Sequence, residues 1–190
     1  MTHVSKRYQH YADLVRKAGG KVCPGGEPTV LGIRTGKSTT SQYADKFVVL
    51  HKNGRLDTFV GSTRPSQSSS SAATDANGDG VGDVAMIRPG NYQAVPNGPH
   101  GGKPSYQVLS KSGSGSVDAW RDLNHDGFYS KSEKAFARKH HVKATEVLFH
   151  TGYSGPSSIA CQNVRPDQMD RFVSSVGGAS GRFSFTLINK

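Results

Sequence analysis

The sequence predicts a mainly β protein with a few helices, on three observations. Short runs rich in β-branched and aromatic residues recur along the 190-residue chain, separated by Gly, Pro, Asn and Ser. Two of these runs bracket Asn53–Gly54, a strong hairpin signal. Only a few stretches space their apolar residues as a helix does. With 34% hydrophobic and 20% charged residues and 23 glycines, the chain reads as one polar, loop-rich globular domain. No apolar run approaches the roughly 18 residues that a bilayer span needs, so no membrane span is expected.

Val4, Tyr8, Tyr11, Leu14, Val15 and Ala18 fall at helical spacing, and Gly19–Gly20 supplies a stop, which predicts an amphipathic helix of about four turns. Residues 29–35 (TVLGIRT) read as a strand. Residues 46–50 and 55–60 form the hairpin arms around Asn53–Gly54. The Ser/Thr-rich run 61–74 reads as an exposed, mobile loop. Strands are expected at 84–90, 92–95, 106–110, 117–120 and 146–150. Helices are expected over 131–140 and 166–176, the second opening on Pro and Asp, which suit a helix N-terminus. The terminal RFSFTLIN alternates as a strand does.

The net charge of +10 favours an acidic partner, such as an anionic wall polymer or nucleic acid. The basic residues are spread out, without a zinc-finger or RNA-recognition signature, so nucleic acid is the disfavoured partner. The opening residues lack the apolar core of a secretory signal. The expectation is a signal already removed, or delivery by a route that reads none.

Cys23 and Cys161 could pair in an oxidising compartment. Their settings differ. Cys23 lies in the turn-like VCPGGEP, whereas Cys161 lies in EVLFHTGYSGPSSIACQN (146–163), where a strand delivers His150 and a small-residue loop returns the chain to the cysteine. A thiol is mostly neutral at pH 7, and a nearby imidazole can take its proton. Small residues around the sulfur let backbone N–H groups approach a substrate carbonyl. A backbone carbonyl near Thr151 or Gly152 would orient the histidine through Nδ1. The alternative is an inert buried cysteine beside a strand-end histidine.

This segment resembles the active-site signature of the L,D-transpeptidases, in which a histidine on a strand precedes Ser/Thr-x-Gly-Cys; the matches are His150, Ser158 and Cys161. A weaker likeness to phage and secretion-system relatives runs over roughly residues 29–188, through VLGIRT, NGRLDTFVGST, RPGNYQAV and HGGKPSYQVL. The resemblance implies an L,D-transpeptidase-like β-sandwich as the catalytic domain over 29–190, with 1–28 packed on it as a helix and turn. It implies Cys161 as nucleophile and His150 as base, peptidoglycan stem peptides as substrate, and action in the periplasm or outside the cell. For a delivered toxin, an immunity protein is the expected partner. Ala160 replaces the usual glycine but keeps its N–H for an oxyanion hole if the loop avoids positive φ, and Ile159 replaces a frequent histidine. Asn163 stands where an arginine is usual, leaving Arg121 or Arg165 to hold a substrate carboxylate. His100 is a candidate second histidine of the cleft. The same departures leave open a calcium-stabilised wall-binding module with a degenerate site.

Residues 122–133 (DLNHDGFYSKSE) follow the EF-hand loop pattern, with Asp122, Asn124, Asp126, the Phe128 carbonyl, Ser130 and Glu133 as oxygen donors and Gly127 at the sharp turn. The preceding SVDAWR reads as a strand, so an inserted EF-hand-like loop is expected rather than a helix–loop–helix pair. Asp75, Asn77, Asp79 and Asp83 repeat part of the pattern without its final glutamate, and a plain turn explains them equally well. Calcium at either loop would be structural.

Overall fold

The apolar strands close on one another in a computed structural model that describes residues 4–190, the side chains of 68–70 excepted. Helix α1 (Lys6–Lys17) precedes strands β1 (Thr29–Arg34), β2 (Asp45–Leu50), β3 (Leu56–Ser62), β4 (Ala85–Ile87), β5 (Gly90–His100), β6 (Lys103–Leu109) and β7 (Val117–Arg121). Helix α2 (Lys131–Lys139), strands β8 (Lys143–Ala144), β9 (Leu148–Thr151) and β10 (Gln162–Val164), helix α3 (Met169–Ser175) and strand β11 (Phe183–Asn189) complete the chain. Eight strands form a closed barrel in the order β1-β11-β5-β6-β9-β10-β3-β2, and β4, β7 and β8 form a small second sheet. The mainly β class with a few helices is found. The main sheet closes on itself, where the resemblance implied two packed sheets; closure removes the exposed edges an open sheet would present. Among the described residues, no helix is long and apolar enough to cross a membrane.

Period-two alternation explains why β1 and β2 are buried on both faces. Val30, Phe47 and Val49 point into the barrel with Phe59, Phe149, Phe172 and Phe183, while Leu31, Ile33, Val48 and Leu50 meet Tyr8, Ala12 and Val15 of α1 outside it. Helix α1 is thus laid on the barrel wall through its apolar face. The helix starts at Ser5, whose Oγ accepts the Tyr8 N–H at 3.1 Å. The hairpin forms as read, with Gly54 at φ 85°.

Two expectations are corrected. Residues 61–66 are buried rather than an exposed loop: Gly61 and Ser62 finish β3, and Thr63 donates from its N–H and Oγ1 to Asp45 Oδ2, both at 2.8 Å. The guanidinium of Arg34 closes the junction on Thr63 O at 2.9 Å, so a buried ionic network overrides the polar composition. The strands expected at 92–95 and 106–110 belong to one longer hairpin, β5 to β6, with a register shift between Pro96 and Gly98. Prolines fit there because the irregular ladder asks for fewer N–H donors.

Candidate functional site

Strand β9 carries His150 next to its last residue, Thr151, and after the loop over 152–161 the chain returns beside it as β10. The two strands pair in parallel, with Asn163 opposite His150 and Gln162 opposite Phe149. This register brings the Asn163 amide to the imidazole. His150 Nδ1 lies 2.6 Å from the Thr151 carbonyl, which can only accept, so Nδ1 carries the proton. Nε2 is then an acceptor, and Asn163 Nδ2 donates to it at 3.1 Å. The amide orientation follows from its other end, where Asn163 Oδ1 accepts the Ser157 N–H at 2.9 Å. Burial lowers the His150 pKa to about 4, with His100 pushing the same way against the Thr151 hydrogen bond. His100, from the end of β5, sets its ring 4.3 Å from that of His150.

Cys161 occupies the loop end just before β10. Its Sγ accepts the Leu148 N–H at 3.4 Å and donates toward the Glu146 carbonyl at 3.7 Å. Among the described residues, no hydrogen bond joins it to His150. Burial pushes the thiol pKa up, outweighing the Leu148 and Ser158 contacts that lower it. The resting pair is therefore a neutral thiol and a neutral imidazole, the latter occupied by Asn163. Cys23 is also a free thiol, so the two cysteines are unpaired.

The loop is fastened through its own carbonyls. Ser158 Oγ donates to Cys161 O at 3.0 Å, Ala85 N to Ile159 O at 2.8 Å and Gln162 Nε2 to Ala160 O at 3.1 Å. Ser158 thus holds the end of the loop that carries the cysteine; among the described residues, no hydrogen bond joins it to the imidazole. Residues 158–161 avoid positive φ. Of the two candidate orienting residues, Thr151 supplies the carbonyl; Gly152 serves packing, because a side chain there would meet the ring of Tyr43.

A cavity of about 480 Å³ opens over these groups, lined by Cys161, His150, His100, Ser158, Ala160 and Arg121 among others. Arg121 faces it with little freedom: Nη1 donates to Asp83 O at 2.7 Å and Nη2 to Lys143 O at 3.2 Å. Arg165 is not brought to the cavity, which corrects that expectation. It is exposed and forked onto Asp167, two residues on, at 2.7 and 2.9 Å, a local pair that forms wherever the backbone turns there. The roles of Asn163, set opposite His150 by the parallel β9–β10 pairing, and of the Glu146 carbonyl, just before β9, were missed by the sequence reading. A Ser175–Asp57–His51 cluster lies away from this cavity. Ser175 Oγ donates to Asp57 Oδ2 at 2.7 Å, and one ring nitrogen, His51 Nε2, meets both that oxygen at 2.8 Å and Ser175 Oγ at 3.2 Å, so serine and acid do not sit on opposite ring nitrogens as a Ser–His–Asp relay requires.

The loop over 122–133 runs from β7 directly into α2. Asp122 Oδ2 accepts the Gly127 N–H at 2.9 Å, Asn124 Oδ1 that of Asp126 at 3.3 Å, and Asp126 Oδ1 that of Phe128 at 2.8 Å. Gly127 turns at φ 80°. Ser130 caps α2 through the Glu133 N–H at 3.2 Å, and Glu133 accepts the Ser130 and Leu123 N–H groups at 2.7 and 2.8 Å. Residues 75–83 show the same pattern: Asp75 accepts from Gly78 and Gly80, Asn77 from Asp79, and Asp79 from Val81. The two loops dock through Asn77 Nδ2 on Leu123 O and His125 on Asp83, both at 2.9 Å. Among the described residues, no three His, Cys, Asp or Glu side chains converge on one point, so these loops offer mixed carboxylate, amide and carbonyl oxygens.

No protein-family model, curated protein or solved structure matches the chain.

Proposed function

We propose that this protein is a cysteine-dependent acyl transferase acting on peptidoglycan stem peptides, as an L,D-transpeptidase, a D-amino-acid exchange enzyme or an L,D-carboxypeptidase. The observation that carries the reading is that His150, its Nδ1 proton held on the Thr151 carbonyl, shares one cavity with Cys161 and His100. An imidazole with a pKa of about 4 is neutral at physiological pH and has a lone pair on Nε2. For reaction, Nε2 exchanges the Asn163 amide for the Cys161 thiol; such contacts often tighten only once substrate is bound. The thiol proton passes to Nε2 as sulfur bonds to the stem-peptide carbonyl carbon. The C–N bond then breaks, the leaving amine takes the proton, and an acyl thioester remains. An incoming amine gives cross-linking or exchange, and water gives a trimmed stem. The net charge of +10 suits an anionic wall. Delivery to the periplasm or outside the cell as a toxin, with an immunity protein as partner, belongs to the same proposal.

A second reading, a wall-binding module with a degenerate site, is favoured by the thiol itself. Sγ engages Leu148 N and Glu146 O rather than the imidazole, and burial pushes its pKa up. Incubation with muropeptides, in parallel with Cys161→Ala, separates the two by mass spectrometry of products and protein. Trimmed, exchanged or cross-linked stems that vanish in the variant support the enzyme. Unchanged muropeptides from the folded, reduced protein overturn it in favour of the module.

A further inference from the structure

Asp122 is wholly buried, and its Oδ1 has no hydrogen-bond partner. An ionised carboxylate oxygen left bare in the interior is costly unless a cation or donor meets it. Its Oδ2 is turned onto Gly127 at 2.9 Å, which holds the carboxylate toward the inside of the loop. The neighbouring Glu133 is also buried, at 6% exposure, so two acids crowd one side of the small sheet.

We propose that the loop over 122–133 binds one calcium ion, with the unpaired Oδ1 of Asp122 as a ligand. The side-chain oxygens of Asn124, Asp126 and Glu133, which do not yet converge on one point, close on the ion with the Phe128 carbonyl to complete the donor set. Each carboxylate oxygen has a second lone pair, so the oxygens already accepting backbone N–H groups can still serve. Ser130 caps α2 through the Glu133 N–H and is not a direct ligand. A long loop of mixed oxygen donors suits the high, flexible coordination of calcium better than the rigid octahedron of magnesium.

The neighbouring loop holds no ion in this proposal. Its buried carboxylate, Asp83, is partnered at both oxygens, by Ala76 N at 2.6 Å and His125 Nε2 at 2.9 Å. The proposed ion also bears on the cavity. Asp122 follows Arg121, its N–H donates to Val84 O at 3.1 Å, and the next residue, Ala85, holds the carbonyl of Ile159 in the cysteine loop at 2.8 Å.

Calorimetric titration of the full chain with calcium, with thermal melting in calcium or in magnesium at equal ionic strength, tests the site without reference to activity. Expected are one bound calcium and a melting temperature raised by about 5 °C at roughly a hundred times Kd. Asp126→Ala, at an exposed position, should fold normally yet bind about tenfold or more weakly. Asp75→Ala should bind as the parent does. Absence of heat and of a melting shift in the parent protein overturns the proposal. So does an Asp126→Ala affinity equal to the parent's, or loss of binding in Asp75→Ala alone, either of which puts the ion elsewhere.

Discussion

Acidification acts on this fold through His150. The ring is 2% exposed, donates from Nδ1 to Thr151 O and accepts at Nε2 from Asn163. A second proton would turn Nε2 into a donor facing the Asn163 amide, itself a donor. The unfolded chain takes up this proton near 6.5 and the folded protein only near about 4. Between those values the unfolded state holds more protons, so stability falls as the pH falls. The contribution is complete above about pH 6.5, and linkage puts the loss at about 2 kcal/mol at pH 5 and about 3 kcal/mol at pH 4. Carboxylates also titrate in this range, so the assay is urea unfolding of the parent and His150→Gln across about pH 7 to 4. The stability difference between the two proteins should narrow by about 2 kcal/mol from pH 7 to pH 5. An NMR titration of the imidazole gives the same quantity directly. Parallel pH curves for the two proteins, or a His150 resonance titrating at about 6 or above, would refute the reasoning.

Three further outcomes follow from the same geometry. Iodoacetamide should label Cys161 slowly at neutral pH, with a rate still climbing through about pH 9, because burial pushes the thiol pKa up; a plateau below about pH 8 would show a thiolate already formed. Asn163→Ala should raise the His150 pKa and destabilise the fold by about 2–3 kcal/mol, since it strips the acceptor from Ser157 N and the donor from Nε2; NMR and urea melts read both, and an unmoved pKa sinks the assignment. Phe172→Ala should cost about 3–5 kcal/mol. Its ring packs at 5.4 Å from Phe59, 5.7 Å from Phe149 and 5.9 Å from Phe183, so a loss below about 1 kcal/mol would mean that the barrel interior collapses freely around the gap.

Much of the local structure was legible because it depends on near neighbours. The first helix, the Asn53–Gly54 turn, and the expected strands near β1, β2, β7 and β11 all follow from periodicity and turn chemistry within a few residues. The burial of 61–66 was not legible. It depends on Asp45, on another strand, reaching Thr63 across the sheet, and composition carries no record of that partner. The prolines of β5 hid its length in the same way, because a bulge known only from pairing with β6 accommodates them.

The site divides along the same line. His150, Cys161 and Ser158 could be named from one contiguous segment, and so could the repeated Asp/Asn/Gly spacing of the acidic loops. By itself, then, the sequence determined which chemical groups the chain brings and the short-range turns that carry them. Tertiary structure alone decided that Asn163 holds Nε2 while the thiol faces Leu148 N and Glu146 O, that Arg165 pairs locally outside the cavity, and that Asp122 keeps one buried oxygen bare. The physical reason is range. Turn and helix signals act over a few residues along the chain, whereas the pKa, partner and exposure of a buried group depend on strand register and on desolvation by residues far away in sequence.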